Sequence, residues 1–507
     1  MRFDHALRAV GLVVMCGQAS FGSLVCAQEA PPPDDSMSSD LPGKYPPGRN
    51  YLQERIDWIR DRQGSSKERG GPVNHWTTFT TCVSQMDGAW KFASEGSTVY
   101  RDYAARQQAE ATPSTYDIFW SVAKIGTRYD AELDLEGQRI IDQFLRTSTP
   151  MLLDSMYSLS PVVPDVSLER PQIMRQRQAF ADSGIAANWN VTRMSLARRR
   201  GDDTEFLRAA QHNMYLSHAA ACDAGLGAHL RSFAIAQFTY SRIIDEHLAR
   251  PLSPELLSQL VEMLGKIPAA DWATSVEGER LLMLDGVDWI YETGRTEMFG
   301  ESKPQRTTLE KAADLTERMM WAPREVALAE IDRVYGLMAR CLDPDIAVAD
   351  KAMEECRGIT HRLQSDKALR RKFAIQSSIS TSFLWVNFEK QARCARGGLQ
   401  LYLAAELFKA RNGHLPETAA ELVPEYLRSV PIDWYSKTRE PMRYKRVDPK
   451  TDPLGRGFLV YSVGLDNTDD GGTIDPKRFN RAISSGEAMG KGYDFVINWA
   501  TELPDRR

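Results

Sequence analysis

The chain has 507 residues, of which 42% are hydrophobic and 26% are charged, and its formal net charge is −5. This length allows two or three globular domains with a sizeable core. The weakly acidic balance and the lack of a long basic block in the sequence argue against a nucleic-acid partner. The short run Arg198 to Arg200 is interpreted as a solvated helix end.

Residues 1–27 have the order of a secretory signal peptide. Arg2 and Arg8 flank a short apolar segment, and small residues then lead to a cleavage site after Ala27. The apolar segment is too short to span a bilayer, which takes about 20 residues. We therefore expect a periplasmic or secreted protein with no transmembrane helix after residue 27. A lipid anchor on Cys26 is the alternative, although Val25 fits that motif poorly.

Two further regions follow before the C-terminal part of the chain. Residues 28–50 are rich in proline, serine and aspartate, which predicts a disordered linker. Residues 51–370 carry apolar residues at helical spacing between glycine and proline breakers, which predicts a helical-array domain. Ser253-Pro254-Glu255 is typical of a helix start. Because no repeat of fixed period occurs, an irregular bundle or a helical toroid stays open.

The cysteines after residue 27 are odd in number: Cys82, Cys222, Cys341, Cys356 and Cys394. An exported protein can use disulfides, and an odd count leaves at least one thiol unpaired or paired between chains. Cys341 and Cys356 lie close in sequence across an expected helix hairpin, and they are the best candidate pair. The alternative is that both are small buried hydrophobic residues.

Residues 371–507 differ from the preceding helices. Residues 398–411 form an amphipathic helix pattern that Asn412-Gly413 ends. Three later segments, 442–447, 457–463 and 494–499, have the composition of strands. The expected fold is therefore mainly α, with a helical array or bundle followed by a small α+β domain of one long helix and a three-stranded antiparallel sheet.

An acidic, glycine-rich segment follows the second expected strand. Asp466, Asp469 and Asp470 lie within five residues, and Asp494 begins the last strand segment. Three interpretations are open from the residues alone. The carboxylates are oxygen ligands suited to a metal ion, a pair of catalytic carboxylates, or the polar side chains of a solvated turn.

Four features of this C-terminal region occur in a recognisable order. They are a helix ending in ARNGHLPET, the segment ELVPEYLRSVPID, the segment VYSVGLD with its acidic loop, and an aspartate-led terminal strand ending in asparagine and tryptophan. In this order they resemble the soluble domain of the major pseudopilin of type II secretion systems. The whole chain also resembles exported proteins of planctomycete-type bacteria that join a helical region to this domain, a likeness that implies no activity.

The pseudopilin resemblance implies a calcium ion in the acidic loop and a link to secretion. It implies Asp466 and Asp494 as ligands, Asp469 or Asp470 as the next candidate, and backbone carbonyls near residues 463–465. This chain departs from the family in three ways. About 21 residues separate the acidic cluster from Asp494, Asp433 is followed by tryptophan where the family has proline, and no prepilin cleavage motif is present. A fibre subunit is therefore not expected.

The helical region offers weaker candidates. Asp285, Asp288 and Glu292 share one helix face, which we interpret as solvated and not as an acid–base pair. His218, Cys222 and His229 have spacing for zinc, although glycines interrupt their helix and packed residues are the favoured interpretation. The tryptophans at 120, 189, 272, 289 and 321 are expected in the core.

These patterns favour a non-enzymatic exported protein. Its helical region would offer an interaction surface to a protein or cell-envelope partner, and calcium would stabilise its C-terminal domain. The alternative is a secreted helical-toroid carbohydrate-active enzyme that uses carboxylates of the helical domain, whose tryptophans would grip the glycan.

Overall fold

The computed structural model describes residues 46, 49–51, 53–55, 57–58, 187, 190–191, 193–221, 225–293, 321–365, 382–474 and 492–499. The predicted signal peptide, almost all of the predicted linker, and Cys82 and Cys222 lie outside this part of the chain. Within it the protein is mainly helical with a small three-stranded antiparallel sheet, which confirms the expected fold class at that level. None of the helices described is both long and apolar enough to cross a membrane.

The elements follow one another in the order helices, then sheet. The helices are α1 (Asp203–Ala221), α2 (Leu226–Ala249), α3 (Pro254–Lys266), α4 (Trp272–Thr293), α5 (Arg324–Arg340), α6 (Ile346–Ser365) and α7 (Ser382–Asn412), with a short 3-10 helix at Ala419–Leu422. The strands are β1 (Arg443–Arg446), β2 (Phe458–Ser462) and β3 (Phe495–Val496). Residues 193–200 are also helical.

Local signals explain where several helices begin and end. Ser253 Oγ accepts a hydrogen bond from the Leu256 N–H at 3.3 Å, and Pro254 occupies the first position of α3. Gly413 ends α7 with a φ of +77°, and its N–H donates to the Lys409 carbonyl at 2.8 Å. Of the two glycines expected to interrupt the helix before His229, Gly225 is the N-cap of α2 but Gly227 lies inside α2, so the expectation for Gly227 is wrong.

The run of three arginines is only partly a solvated helix end. Arg199 and Arg200 are exposed, as predicted. Arg198 is buried: its guanidinium pairs with the Asp203 carboxylate at 2.9 Å and donates to the Arg250 carbonyl at 2.8 Å. Arg198 is buried because it faces the α2–α3 connection. The local charge pattern does not reveal this position.

The sheet has the order β1-β2-β3, and both pairs are antiparallel. Arg443 pairs with Tyr461 and Arg446 pairs with Phe458, while Tyr461 pairs with Val496 on the other side. The three segments predicted as strands each contain one of these strands. Every residue of the central strand β2 is buried. The long helix α7 packs against one face of the strand, and Val447, Ile474 and Trp499 pack against the other.

Two glycines in the middle of α7 allow this close packing. A Cβ atom on Gly397 would lie 2.8 Å from Pro431 Cβ, and one on Gly398 would lie 2.4 Å from Ile497 Cγ1. Both distances are shorter than side chains tolerate. The missing side chains therefore let the long helix contact the sheet and its connecting loop directly.

Two hydrophobic cores organise the described residues. The first joins α1, α2 and α3 to α7 and the sheet, and its large side chains include Phe206, Tyr402 and Phe458. The second lies between α4, α5 and α6 and contains Trp272, which is 3% exposed as expected for a core residue. Trp289 and Trp321 pack against its edge. Because α7 shares its core with α3, stability experiments on the C-terminal region need the whole chain.

Candidate functional site

The acidic loop, defined here as residues 464–474 together with 492–494, connects β2 to β3. It leaves the end of β2 and turns back at Gly471 and Gly472, whose φ angles are +70° and +84°. A Cβ atom on Gly472 would lie 2.7 Å from Leu459 Cδ1. Glycine is therefore required here both for the left-handed backbone and for its approach to β2.

Three hydrogen bonds tie the two parts of the acidic loop together. The Gly492 N–H donates to Asp466 Oδ2 at 2.9 Å, and the Gly472 N–H donates to Asp494 Oδ2 at 2.7 Å. The Asp494 N–H in turn donates to the Thr473 carbonyl at 2.8 Å. The structure thus brings Asp494 next to the acidic cluster, which sequence separation alone does not require.

Asp466 uses both of its carboxylate oxygens to organise backbone. Oδ1 accepts from the Thr468 N–H at 3.0 Å while Oδ2 accepts from Gly492. The Leu465 carbonyl, one of those expected near an ion, accepts from Asn467 Nδ2 at 3.1 Å. Both groups retain lone pairs, but each already has a partner within the loop.

Asp469 is well supplied with donors. Its Oδ1 accepts from the Tyr461 hydroxyl and from the Gly471 N–H, both at 3.0 Å, and its Oδ2 accepts from Arg443 Nε at 3.1 Å. Burial opposes the charged form, but these donors outweigh it and lower the pKa of Asp469. Lys445, the next cation along β1, donates to the Gly471 carbonyl at 2.8 Å.

Asp494 and Asp470 have a different environment. Asp494 is 3% exposed, and its Oδ1 has no hydrogen-bond donor among the described residues. Asp470 Oδ2 is likewise buried without a donor in this part of the chain. Burial raises the pKa of Asp494 to about 6; the backbone N–H groups of Gly472 and Asp470 oppose the rise, and the carboxylates of Asp469 and Asp470 add to it.

These two carboxylate oxygens are the feature of the acidic loop that calls for a ligand. A buried carboxylate oxygen without a donor is costly, and a second carboxylate nearby increases the cost. A cation removes both penalties. Calcium accepts carboxylates, backbone carbonyls and water together at 2.3–2.6 Å. No group of three or more histidine, cysteine or acidic side chains within the described ranges converges closely enough to hold a metal, so carbonyls and water would complete the coordination.

The solvated-face interpretation of Asp285 and Asp288 is wrong. Asp285 is 1% exposed and Asp288 is 0% exposed, whereas Glu292 at the helix end is exposed. The reason is that α4 lies between α2 and α5 and is covered on both sides. Asp288 Oδ1 pairs with Arg324 Nη2 at 2.5 Å, so a partner from α5 compensates this buried charge.

His229 belongs to a buried polar bridge that the sequence does not reveal. Its Nδ1 lies 2.9 Å from Ser275 Oγ on α4, and its Nε2 lies 2.6 Å from Glu389 Oε2 on α7. Arg393 Nε donates to the other Glu389 oxygen at 2.6 Å. This agrees with the interpretation of His229 as a packed residue, and its partners lie 46 and 160 positions away, beyond any local pattern.

Comparisons of the chain with protein-family models, with curated protein sequences and with solved structures found no match.

Proposed function

We propose that this chain is an exported, non-enzymatic protein whose helical region presents an interaction surface and whose C-terminal pseudopilin-like domain is stabilised by calcium. The partner would be another protein or a component of the cell envelope. The observation that carries the proposal is the buried Asp494 carboxylate, whose Oδ1 has no donor among the described residues and whose neighbour Asp470 has the same deficiency.

The residues that would hold the ion lie on both sides of the loop. Asp470 belongs to the part that follows β2, and Asp494 belongs to the part that precedes β3. Asp466 and Asp469 supply further carboxylate oxygens within the same short segment. An ion bound between the two parts would supply a structural cross-link. It would also neutralise the carboxylate repulsion that adds to burial in raising the pKa of Asp494.

A structural role suits the composition of the acidic loop. Most side chains from Asp466 to Thr473 are polar or absent, and several are exposed. Such a segment gains little from apolar burial, so its order depends on hydrogen bonds and charge. A bound ion that prefers the folded loop raises its stability by mass action.

The export and interaction parts of the proposal are supported by other features. The order of charged, apolar and small residues in 1–27 is that of a secretory signal peptide. The buried carboxylates Asp288 on α4 and Glu389 on α7 have cationic or histidine partners from other helices. These groups are used in helix packing, so the proposed partner surface would lie elsewhere on the helices.

Calcium titration of the whole chain tests the proposed ion site. We expect calcium to bind with measurable heat and to slow amide hydrogen exchange in the acidic loop. Asp494→Asn and Asp470→Asn should each weaken the binding at least tenfold. Asp448→Asn is the matched control, because Asp448 is an exposed aspartate whose Oδ1 accepts from the Lys450 N–H in another turn. Calcium binding that is equally strong in all three variants would overturn the assignment.

Export is tested separately by cell fractionation and N-terminal sequencing. The mature chain should begin at residue 28 and lie outside the cytoplasm. A chain that keeps its first 27 residues in the cytoplasm would contradict this part of the proposal while leaving the calcium site intact.

A further inference from the structure

Cys341 and Cys356 lie against each other in the second hydrophobic core. Cys341 is the C-cap of α5 and Cys356 lies midway along α6. Their Sγ atoms are 3.7 Å apart, and the two residues are 1% and 0% exposed. The Cys341 thiol donates a hydrogen bond to the Cys356 sulfur, which lowers the pKa of Cys356.

The described buried face of α6 around Cys356 includes several small side chains. Among the positions of α6 whose burial is described, the buried ones are Ala349, Ala352, Met353, Cys356 and Ile359. Two of these are alanines, and the gain from burial scales with the apolar area removed from water. The comparable face of α3 buries leucine and methionine at every position. A covalent link between α5 and α6 would add to the packing of this face.

We propose that Cys341 and Cys356 form a disulfide that links α6 to α5, while Cys394 stays a buried thiol. The inference rests on the proposed export, because disulfides persist in oxidising compartments. A disulfide has a sulfur–sulfur distance of about 2.0 Å. Closing the gap from 3.7 Å takes about 1.7 Å of movement, which the two side chains and the end of α5 share.

The bond forms by thiol–disulfide exchange with a small-molecule or protein disulfide as the oxidant. One cysteine thiolate attacks the donor disulfide, which gives a mixed disulfide and releases one donor thiol. The second cysteine loses its proton, attacks the mixed disulfide and releases the other donor thiol. Two protein thiols and one donor disulfide thus become one protein disulfide and two donor thiols. Because both sulfurs are buried in the folded chain, exchange takes place before the α5–α6 hairpin packs.

Cys394 provides an internal contrast. It is fully buried on α7, and its sulfur accepts the Trp434 N–H at 3.3 Å and contacts Asp433 Oδ1 at 3.6 Å. Burial raises the pKa of its thiol. Its neighbours are thus polar groups of the C-terminal region, and it is expected to stay reduced.

Peptide mapping of the whole chain tests the disulfide. One sample is expressed with residues 1–27 in place and recovered from the periplasm; a second is refolded with oxidised glutathione. Both are denatured, alkylated and cut with trypsin, which separates CLDPDIAVADK (residues 341–351) from AMEECR (residues 352–357). We expect the two peptides to be linked, about 2 Da lighter than their summed mass. If the two peptides are linked only in the refolded sample, the result supports the disulfide and contradicts export.

Two results would overturn the proposal. One is that both peptides carry alkyl groups after both treatments, and the other is that either cysteine is linked to a different partner. Hydrogen exchange then tests the structural role. Closing a loop of this length should slow local opening of residues 346–365 by roughly a hundredfold relative to a Cys341→Ala/Cys356→Ala double variant. Cys394→Ala should keep that protection; equal exchange in the wild type and the double variant would exclude the linking role.

Discussion

Two buried aspartates beside β2 have opposite environments. Asp433 is 0% exposed, and its carboxylate accepts the Ser462 hydroxyl at 2.6 Å, the Val463 N–H at 2.8 Å and the Tyr435 N–H at 3.0 Å. Asp494 is 3% exposed, and its Oδ2 accepts the Gly472 N–H at 2.7 Å while its Oδ1 has no donor among the described residues. The same residue type is thus buried once with donors on both oxygens and once with a donor on one.

The difference separates a structural carboxylate from a candidate ligand. Donors around Asp433 replace the water that its charge loses on burial, so the side chain fixes the segment 433–440 to the end of β2. Asp494 lacks such compensation and faces other carboxylates instead. Trp434 supports the first site, because its N–H donates to Cys394 Sγ.

The largest expected effect is the loss of the Asp433 carboxylate. Asp433→Ala leaves three buried donors without an acceptor, so we expect a loss of about 3–5 kcal/mol in the free energy of unfolding. Calcium should not restore it. Chemical denaturation followed by tryptophan fluorescence measures the loss, with Asp448→Ala as an exposed control. A loss below about 1 kcal/mol would mean that the donors around Asp433 do not make it a structural carboxylate.

A buried histidine extends the comparison to the helical region. Burial, followed by repulsion from Arg193 and Arg208, lowers the pKa of His212 to about 2, against about 6.5 in an unfolded chain. The unfolded state therefore takes up a proton first as the pH falls. The stability that neutral His212 contributes is fully present above pH 6.5 and is lost progressively between pH 6.5 and 2.

Denaturation at pH 7 and pH 5 measures this effect. Between these two pH values the free energy of unfolding of His212→Gln should fall by about 2 kcal/mol less than that of the wild type. His414→Gln, which changes an exposed histidine, should titrate like the wild type. An unchanged pH dependence in His212→Gln would show that burial does not control this group.

A smaller effect is expected from one donor of the acidic loop. Tyr461→Phe removes the hydroxyl that donates to Asp469 Oδ1, while Gly471 and Arg443 continue to donate to that carboxylate. We expect a loss of about 1 kcal/mol. Tyr444→Phe is the matched control. Tyr444 lies on the same sheet, and its hydroxyl donates to the backbone carbonyl of Pro416. If the Asp469 bond has no special role, the two variants will respond identically to calcium.

Local signals in the sequence predicted much of the fold. Ser253-Pro254 placed the start of α3, and Asn412-Gly413 placed the end of α7, because capping depends on residues within one turn. The three strand segments were also predicted, because their composition is typical of strands. The helix boundary at residue 382 was not found, because α7 continues through two glycines that let it contact the sheet and its connecting loop.

The candidate site was predicted less completely. The sequence grouped Asp466, Asp469, Asp470 and Asp494, but it could not show which oxygens lack donors, since that depends on where Tyr461, Arg443 and the backbone N–H groups lie. Burial of Asp285 and Asp288 was missed for the same reason. Each of these outcomes is set by tertiary contacts between segments far apart in the chain.

The most direct test of the account is the stability of Asp494→Asn measured with a chelator and then with calcium. Without calcium the asparagine removes a buried, poorly compensated charge, so the variant should be about 1 kcal/mol more stable than the wild type. With saturating calcium the order should reverse, because the wild type gains stability from the ion and the variant does not. A variant that is less stable than the wild type by the same amount in both conditions would contradict the calcium site.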